Sequence, residues 1–511
     1  MNDFIVGILK IIILLFTIFY IILRFSPIIK NEWRKKIQPV LYVLAILAGL
    51  SFVNFGFFHF PGGNYIHYWD SYHYFMGGKY FKELGYYDLY KATYLAGREK
   101  LNVFGDVKNI LDQKTYDVEE IAPESYDVVK KKFTTARWEE FKNDFAYFYP
   151  KDGRWSQLFL DHGYNAPPTR TALLLPLLNV MPLNDISLSL LVSIDYILIL
   201  LTFFLVVKAF GKDVGLVAFI FFCTNVLARF NFIGGSIFRW DWICAAVVAA
   251  SCIKLKKPWW AGLALAYAIL ARIFPIFFLF ALMLQTLAAW SKKEPITLQV
   301  KLLASCALSG ILLMALTFLF IDQPHYYQEF NDKIQPHNNY PFVNHIGVRV
   351  VDYYGGETSS SDMGTGAFPF ETWKVKAMSK DFLLTLFIQC AFVGIIGFLL
   401  LQSDELTAFQ YGAVFIFLFS TIANYYYSFL VVFFLPGLQK GKLHVVDAIK
   451  MVMLLGIMIV GYVLEHYTSF WLQEFFIVSC MLLAFFVITF VLEYLRQQHP
   501  KLRETVLEIP T

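Results

Sequence analysis

Apolar runs alternate with short basic connectors along most of the chain, and two long polar stretches interrupt them. The run Ile5–Leu23 holds only Lys10 as a charge and is long enough to span a bilayer. It lacks a small-residue cleavage site, so it reads as a retained helix. Arg24, Lys30, Arg34, Lys35 and Lys36 follow, and so basic a short loop belongs on the cytoplasmic side. The helix from Ile37 to Phe57 then leads outward. Later apolar segments near 187–207, 213–228, 237–253, 258–270, 273–290 and 298–321 predict further crossings. So do those near 382–401, 406–422, 424–438, 445–464 and 471–494. The expectation is an all-α polytopic membrane protein with about 13 transmembrane helices, N-terminus out and C-terminus in.

The same pattern divides the chain. Residues 1–57 hold two helices, 58–186 a large extracytoplasmic loop, and 187–321 a transmembrane core. Residues 322–381 form a second outer loop, 382–494 the C-terminal helices and 495–511 a cytoplasmic tail. The connectors Lys254–Lys257 and Lys292–Lys293, the pair Lys440 and Lys442, and the tail with Arg496, Lys501 and Arg503 face in. The apolar segment Pro167–Pro182 would invert that assignment if it crossed. It is therefore expected to be interfacial or re-entrant, which is tolerated only against protein or a cavity.

Composition agrees with this picture. Of 511 residues, 58% are hydrophobic and 16% charged, against about 45–50% and 25% in soluble domains. A net charge of +4 is too small to suggest nucleic acid. The six cysteines fall in apolar stretches and none has metal-ligand spacing with a histidine, so no disulfide framework is expected. Gly355–Gly366 is rich in Gly, Ser and Thr and reads as a lid or a plain connector.

Candidate chemistry concentrates after the second helix. The stretch His67–Tyr90 contains a helix-like pattern from Asp70 to Leu84, closed by Gly85. Tyr74, Phe75, Tyr80 and Phe81 would then face lipid, and Lys79, Lys82 and Glu83 would lie near water. Asp70 near the start of that helix reads as a cap, as a base, or as both. Arg272 stands in the apolar hairpin of residues 258–290, at the end opposite Lys254–Lys257 and Lys292–Lys293. An arginine there should face a cavity or a partner, and a guanidinium suits a phosphate. A structural ion pair or snorkelling is the alternative. Arg239 and Asp241 open another helix, where they pair with each other or with substrate. Arg229 joins Arg239 and Arg272 as an expected anion-attracting cluster.

Three segments carry a resemblance: Asp70, Tyr74, Gly85, Asp88 and Tyr90; Tyr164–Arg170 (YNAPPTR); and Trp259–Phe280 with Arg272 and Pro275. Together they resemble GT-C superfamily glycosyltransferases, closest to glycosyltransferase family 87, whose members use polyprenyl-phosphate mannose. Arg272 occupies the place where that family commonly has lysine. The resemblance spans about Asn54–Trp290, and it implies a GT-C-like bundle whose first outer loop carries interfacial helices. It implies an inverting transfer of a mannose-like hexose from a polyprenyl-phosphate donor to a glycan, glycolipid or protein acceptor. Asp70 would be the base, and Arg272 and Arg239 would hold the donor phosphate. Trp69, Tyr72, Tyr74, Asp88 and Tyr164 would line the substrate site. Asn344–Val350 (NHIGVRV) resembles a later family segment, adding His345 and Arg349 as an i,i+4 pair on one helix face. No cofactor is expected, and metal independence follows from the lack of paired acidic residues around Asp70.

Other readings stay open. Tyr425, Tyr426 and Tyr427 read as an interfacial belt or a sugar platform. His325 and His337 are loop candidates without a set role, and Asp161 and His162 could join a metal site from afar, though nothing in their spacing demands it. A transporter or a lipid-linked-sugar flippase would explain the helices but not the long outer loop. The expected location is a bacterial plasma membrane with the site outside, or an ER membrane with a lumenal site.

Overall fold

The computed structural model describes residues 3–25, 30–59, 63–321, 325–339, 344–353, 382–437, 442–467, 471–499 and 506–508. Among them seven helices are long and apolar enough to cross a membrane. They are Asp3–Phe25, Glu32–Phe52, Asp185–Phe210, Thr297–Phe320, Leu383–Leu400, Val445–Tyr467 and Gln473–Gln498. The pair Lys212–Thr224 and Val226–Ile233, bent by 56°, makes an eighth if it is one broken span. The chain is thus a helical polytopic membrane protein, with fewer full-length helices than the thirteen expected.

The difference has a physical cause. Asp241–Lys254, Pro258–Ala271, Ile276–Ser291 and Glu405–Phe419 are helices of only 14 to 16 residues. At 1.5 Å per residue they reach about 21–24 Å, short of a hydrocarbon core of roughly 30 Å. The segment expected as a span at 424–438 is a 3-10 stretch, Asn424–Phe434. Apolar composition marks each of these segments but does not fix its helical length.

The hairpin Pro258–Ala271/Ile276–Ser291 leans on Thr297–Phe320. Gly262 makes this possible: a Cβ there would lie 2.5 Å from the Leu302 carbonyl oxygen and 2.7 Å from the Cys306 nitrogen. The long helix begins four residues past Lys293, level with the basic ends of the hairpin, and runs about 36 Å. The hairpin turn, with Arg272, therefore stops about 10 Å short of the far end of its neighbour. Helix Pro168–Val180 packs beside that far end, where the Thr317 hydroxyl donates to Thr169 Oγ1 at 3.1 Å.

Residues 63–183 form a compact outer unit with its own aromatic core, including Tyr72, Phe75, Tyr80, Phe81, Phe141 and Phe145. Helix Tyr68–Lys79 sits in the middle of it. Tyr74, Phe75, Tyr80 and Phe81 are all buried, so they face this core and not lipid. Lys79 is buried too, and is paired with Asp144 at 2.7 Å and Glu140 at 2.8 Å. Helix patterning identified the element but could not reveal that a second layer, Thr135–Phe148, covers it. Gly85, at φ +55°, ends the short helix Phe81–Leu84 as expected.

The two outer loops meet. Lys333, on helix Tyr326–Asn339, donates to the Tyr86 carbonyl at 3.1 Å and to Gln113 Oε1 at 2.8 Å. At the opposite, basic end, Lys254 donates to the carbonyls of Pro436 and Gly437. Val506–Glu508 pairs antiparallel with Lys442–His444 at that end. The sequence Gly355–Gly366 lies outside the described residues.

Candidate functional site

Asp70 and Tyr74 are four residues apart on helix Tyr68–Lys79 and so share one face. That face meets the turn before helix Asp241–Lys254. Arg239, on this turn, grips Asp70 with two nitrogens, each 2.8 Å from a carboxylate oxygen. Burial opposes ionisation of Asp70, but Arg239, with His67 and His73, outweighs it and holds the carboxyl below its usual range. Asp70 does not cap its helix. His67 does so, accepting the Asp70 backbone N–H on Nδ1 at 3.1 Å.

The turn carrying Arg239 is itself fixed from below. Asp195, buried within the membrane helix Asp185–Phe210, accepts the backbone N–H of Arg239 at 2.6 Å and of Trp240 at 3.3 Å. Arg170, on helix Pro168–Val180, donates to the carbonyls of Ile237 and Phe238 and lies 3.6 Å from Asp241. Tyr267 also donates to Asp241, at 2.8 Å. Asp241 therefore serves Arg170 and does not pair with Arg239.

Tyr74 is the centre of the arrangement. Its hydroxyl accepts from Arg239 at 2.6 Å and from Arg272 at 3.2 Å, and donates to Asn165 Oδ1 at 2.8 Å. The guanidinium carbons of Arg239, Arg170 and Arg272 lie 4.7, 5.0 and 5.9 Å from its ring centre. Tyr425 and Tyr426 cover the far side, with Arg239 and Arg272 at 5.5 and 5.6 Å from their rings. These two tyrosines thus face an arginine cluster and not the lipid, while Tyr427 is buried in the core.

The three arginines differ in their partners. Asp70 answers Arg239 and Asp241 answers Arg170. Arg272 is only 6% exposed, has no carboxylate partner among the described residues, and leaves its Nε buried without a hydrogen bond. It opens onto a cavity of about 410 Å³ whose walls include Asn165, Phe277, Ile334, Arg349 and Tyr426. Asp70, Arg239 and Tyr74 do not line that cavity; Asn165 and Arg272 separate them from it.

The remaining candidates divide. Arg349 reaches the cavity from the short helix Val348–Tyr353. His345 is in a two-residue strand paired with Ile422–Ala423, so the two do not share a helix face. The glycine between them breaks the helix that the spacing suggested. Tyr164 packs 5.8 Å from the Tyr74 ring, its hydroxyl bonded to Thr171 at 2.7 Å. Trp69 donates to Asp161 at 2.6 Å, next to the site but turned from it. Tyr72 bonds Thr93 inside the outer core, and Asp88 pairs with Lys132 at 2.6 Å on the outer surface. His325 lies near Glu329, and the side chain of His337 is outside the described residues. Arg229 is withdrawn from the expected cluster, being engaged by Glu465 and Asp3.

Sequence reasoning missed Arg170, Asp195 and Asn165. Arg170 and Asn165 stood inside the quoted YNAPPTR motif. Asp195 carried the plainer signal, an acid inside a long apolar helix. Among the described residues no group of three His, Cys, Asp or Glu side chains is placed to hold a metal ion. No family model, curated protein or solved structure matches this chain, so the GT-C resemblance rests on its own motifs.

Proposed function

We propose that the protein is a glycosyltransferase that moves a sugar from a polyprenyl-phosphate donor to a hydroxyl acceptor at the loop-bearing face of the membrane. The observation that carries this reading is Arg272, a buried cation without a carboxylate partner among the described residues, on the wall of a cavity lined by both polar and apolar side chains. A lipid-borne phosphate supplies the missing charge, and a guanidinium can bind two of its oxygens.

The reaction then divides among named residues. The acceptor oxygen bonds to the anomeric carbon and loses its proton to Asp70. The bond from that carbon to the phosphate oxygen breaks, and the electron pair leaves with the polyprenyl phosphate. Arg272 stabilises that anion, aided by Arg239 through Tyr74. For Asp70 to act, the acceptor must share or displace the grip of Arg239. A mannose-like sugar and a bacterial or ER membrane follow from the motif resemblance alone.

A second reading has its own support. Asp70 is neutralised by Arg239 and stands away from the cavity, as a structural partner would in a protein that binds or moves lipid phosphates without chemistry.

Purified protein in nanodiscs, given a labelled polyprenyl-phosphate sugar and mixed acceptors, separates the two. Asp70→Asn should bind the donor and lose roughly 10²–10⁴-fold in turnover per folded molecule, the range for a lost general base. Because Asn cannot repay the Arg239 charge, its melting temperature should fall, and rates are normalised to folded protein. Wild-type turnover by Asp70→Asn would remove the catalytic assignment.

A further inference from the structure

A separate cavity, of about 340 Å³, lies between the helices Asp3–Phe25 and Val445–Tyr467 and shares no lining residue with the Arg272 cavity. Asn231 fixes it at the loop-bearing face. The Asn231 amide donates to Asp3 at 3.2 Å, and its carbonyl oxygen accepts from Asn54 at 3.1 Å, just past the outer end of Glu32–Phe52. The walls grade from polar to apolar. Asp3, Glu465 and His466 line the outermost turns, and the rings of Phe4 and His466, stacked at 4.4 Å, pin the two helix ends together there. Ile8 and Ile11 line the deeper part, Ile11 about 12 Å below Asp3 at 1.5 Å per residue. A membrane lipid has that gradient, a head at the interface and chains beneath it.

The polar end carries an acid too many. Arg229 stands between the two carboxylates, 3.8 Å from Asp3 and paired with Glu465. The next charged groups around Arg229 are Lys10 and Glu474, one of each sign and both buried. Among the described residues, three acids thus meet two cations, while Asp3 and Glu465 remain partly exposed. Tyr462 lines the same wall, is only 5% exposed, and has a hydroxyl without a hydrogen-bond partner among the described residues.

We infer that this cavity binds the headgroup of a phospholipid carrying a primary ammonium, with its chains along the apolar wall. The site stands apart from the donor reading and needs no catalysis. A primary ammonium supplies the missing positive charge together with three N–H donors, which the carboxylates and the Tyr462 oxygen can accept. A trimethylammonium brings the charge but no donor. A glycerol headgroup sets an anionic phosphate against the surplus acid with nothing to offset it.

Native mass spectrometry of the protein released from nanodiscs holding equal phosphatidylethanolamine, phosphatidylcholine and phosphatidylglycerol reads which headgroup stays bound. Phosphatidylethanolamine should be retained roughly two- to fivefold over each of the others, the range for a partly exposed ion pair. Asp3→Asn keeps an acceptor for Asn231 but removes the surplus charge, and should abolish the preference. Asp185→Asn is the matched control. Asp185 opens helix Asp185–Phe210 as Asp3 opens its own, is exposed and lies outside the cavity, so its loss should leave the preference intact. Gly7→Leu tests space instead of charge. A Cβ at Gly7 would meet Tyr462 at an ordinary 3.7 Å, so the helix tolerates it, while the added bulk on the cavity wall should lower bound lipid of every class. Melting curves check that each variant is folded. Equal retention of the three lipids by the wild type, or an unchanged preference in Asp3→Asn, would overturn the assignment. Unchanged retention in Gly7→Leu would place the lipid elsewhere and overturn it too. Free ethanolamine should not displace the lipid; displacement would make this a site for a soluble amine and remove the lipid.

Discussion

Arg170 and Arg272 look alike in the sequence, yet the structure gives them opposite energetics. Arg170 holds a turn through one nitrogen, which donates to two carbonyls, and lies beside the Asp241 carboxylate. Removing it leaves Asp241 buried with only Tyr267, so Arg170→Met should cost about 3–5 kcal/mol, the penalty for a broken buried pair. Arg272 has no such partner, so Arg272→Met should leave the melting temperature unchanged or raise it, while donor binding falls. Arg272→Ala should weaken the donor by about 1.5–3 kcal/mol, and Arg272→Lys should recover part of it. Thermal melts beside donor titrations test all three variants, and equal destabilisation by both Met variants would contradict this division. At this scale the sequence was informative about identity and poor about pairing. It singled out Asp70, Arg239, Tyr74 and Arg272, which do converge. It could not say that Asp70 faces Arg239 rather than a helix end, because that contact joins residues 169 positions apart.

Elements were legible where one periodicity ran uninterrupted, as in Asp3–Phe25 and Asp185–Phe210. They were misread where buried apolar turns joined short helices, and where helix Tyr68–Lys79 is wrapped on both sides by protein. Two predictions belong here. Gly262→Ala should destabilise the contact between the hairpin and Thr297–Phe320 by about 1–3 kcal/mol, since backbone must move to admit the methyl. Helix Tyr326–Asn339 should dock on the outer unit in a pH-dependent way. Lys333 is buried, and its amine is pushed down to about 7 by that burial, with Asp161 and Asp112 opposing. Unfolded chains keep the lysine protonated up to about 10.4, so they bind the extra proton between the two values. Stability should therefore rise as pH increases from about 7 towards 10. Hydrogen exchange in residues 326–339 would report this, and Lys333→Met should flatten the slope.

For the whole molecule, the charge pattern and the packing agree on which segments go together. The outer loops touch through Lys333, and the basic connectors cluster at the other end with Val506–Glu508. In a variant lacking the six native cysteines, Asn143→Cys and Lys256→Cys should label from opposite sides of intact cells. Labelling from one side would contradict the architecture. Thirteen full-length crossings are not seen among the described residues, because four of the apolar runs fold into helices of only 14 to 16 residues.

The hairpin turn that ends about 10 Å below its neighbour has a mechanical consequence. Its helices, about 21 and 24 Å long, cannot match an unperturbed hydrocarbon slab of roughly 30 Å. The adjoining lipid must compress there, at a cost of fractions of a kcal/mol per Å of mismatch. Thin bilayers would relieve that strain, and thick, sterol-rich ones would increase it. The protein should therefore thin its own annulus at the spot where a lipid headgroup has to sink towards Arg272. Bilayer thickness becomes a rheostat for donor entry, with short-chain phosphatidylcholine nanodiscs giving the tighter binding.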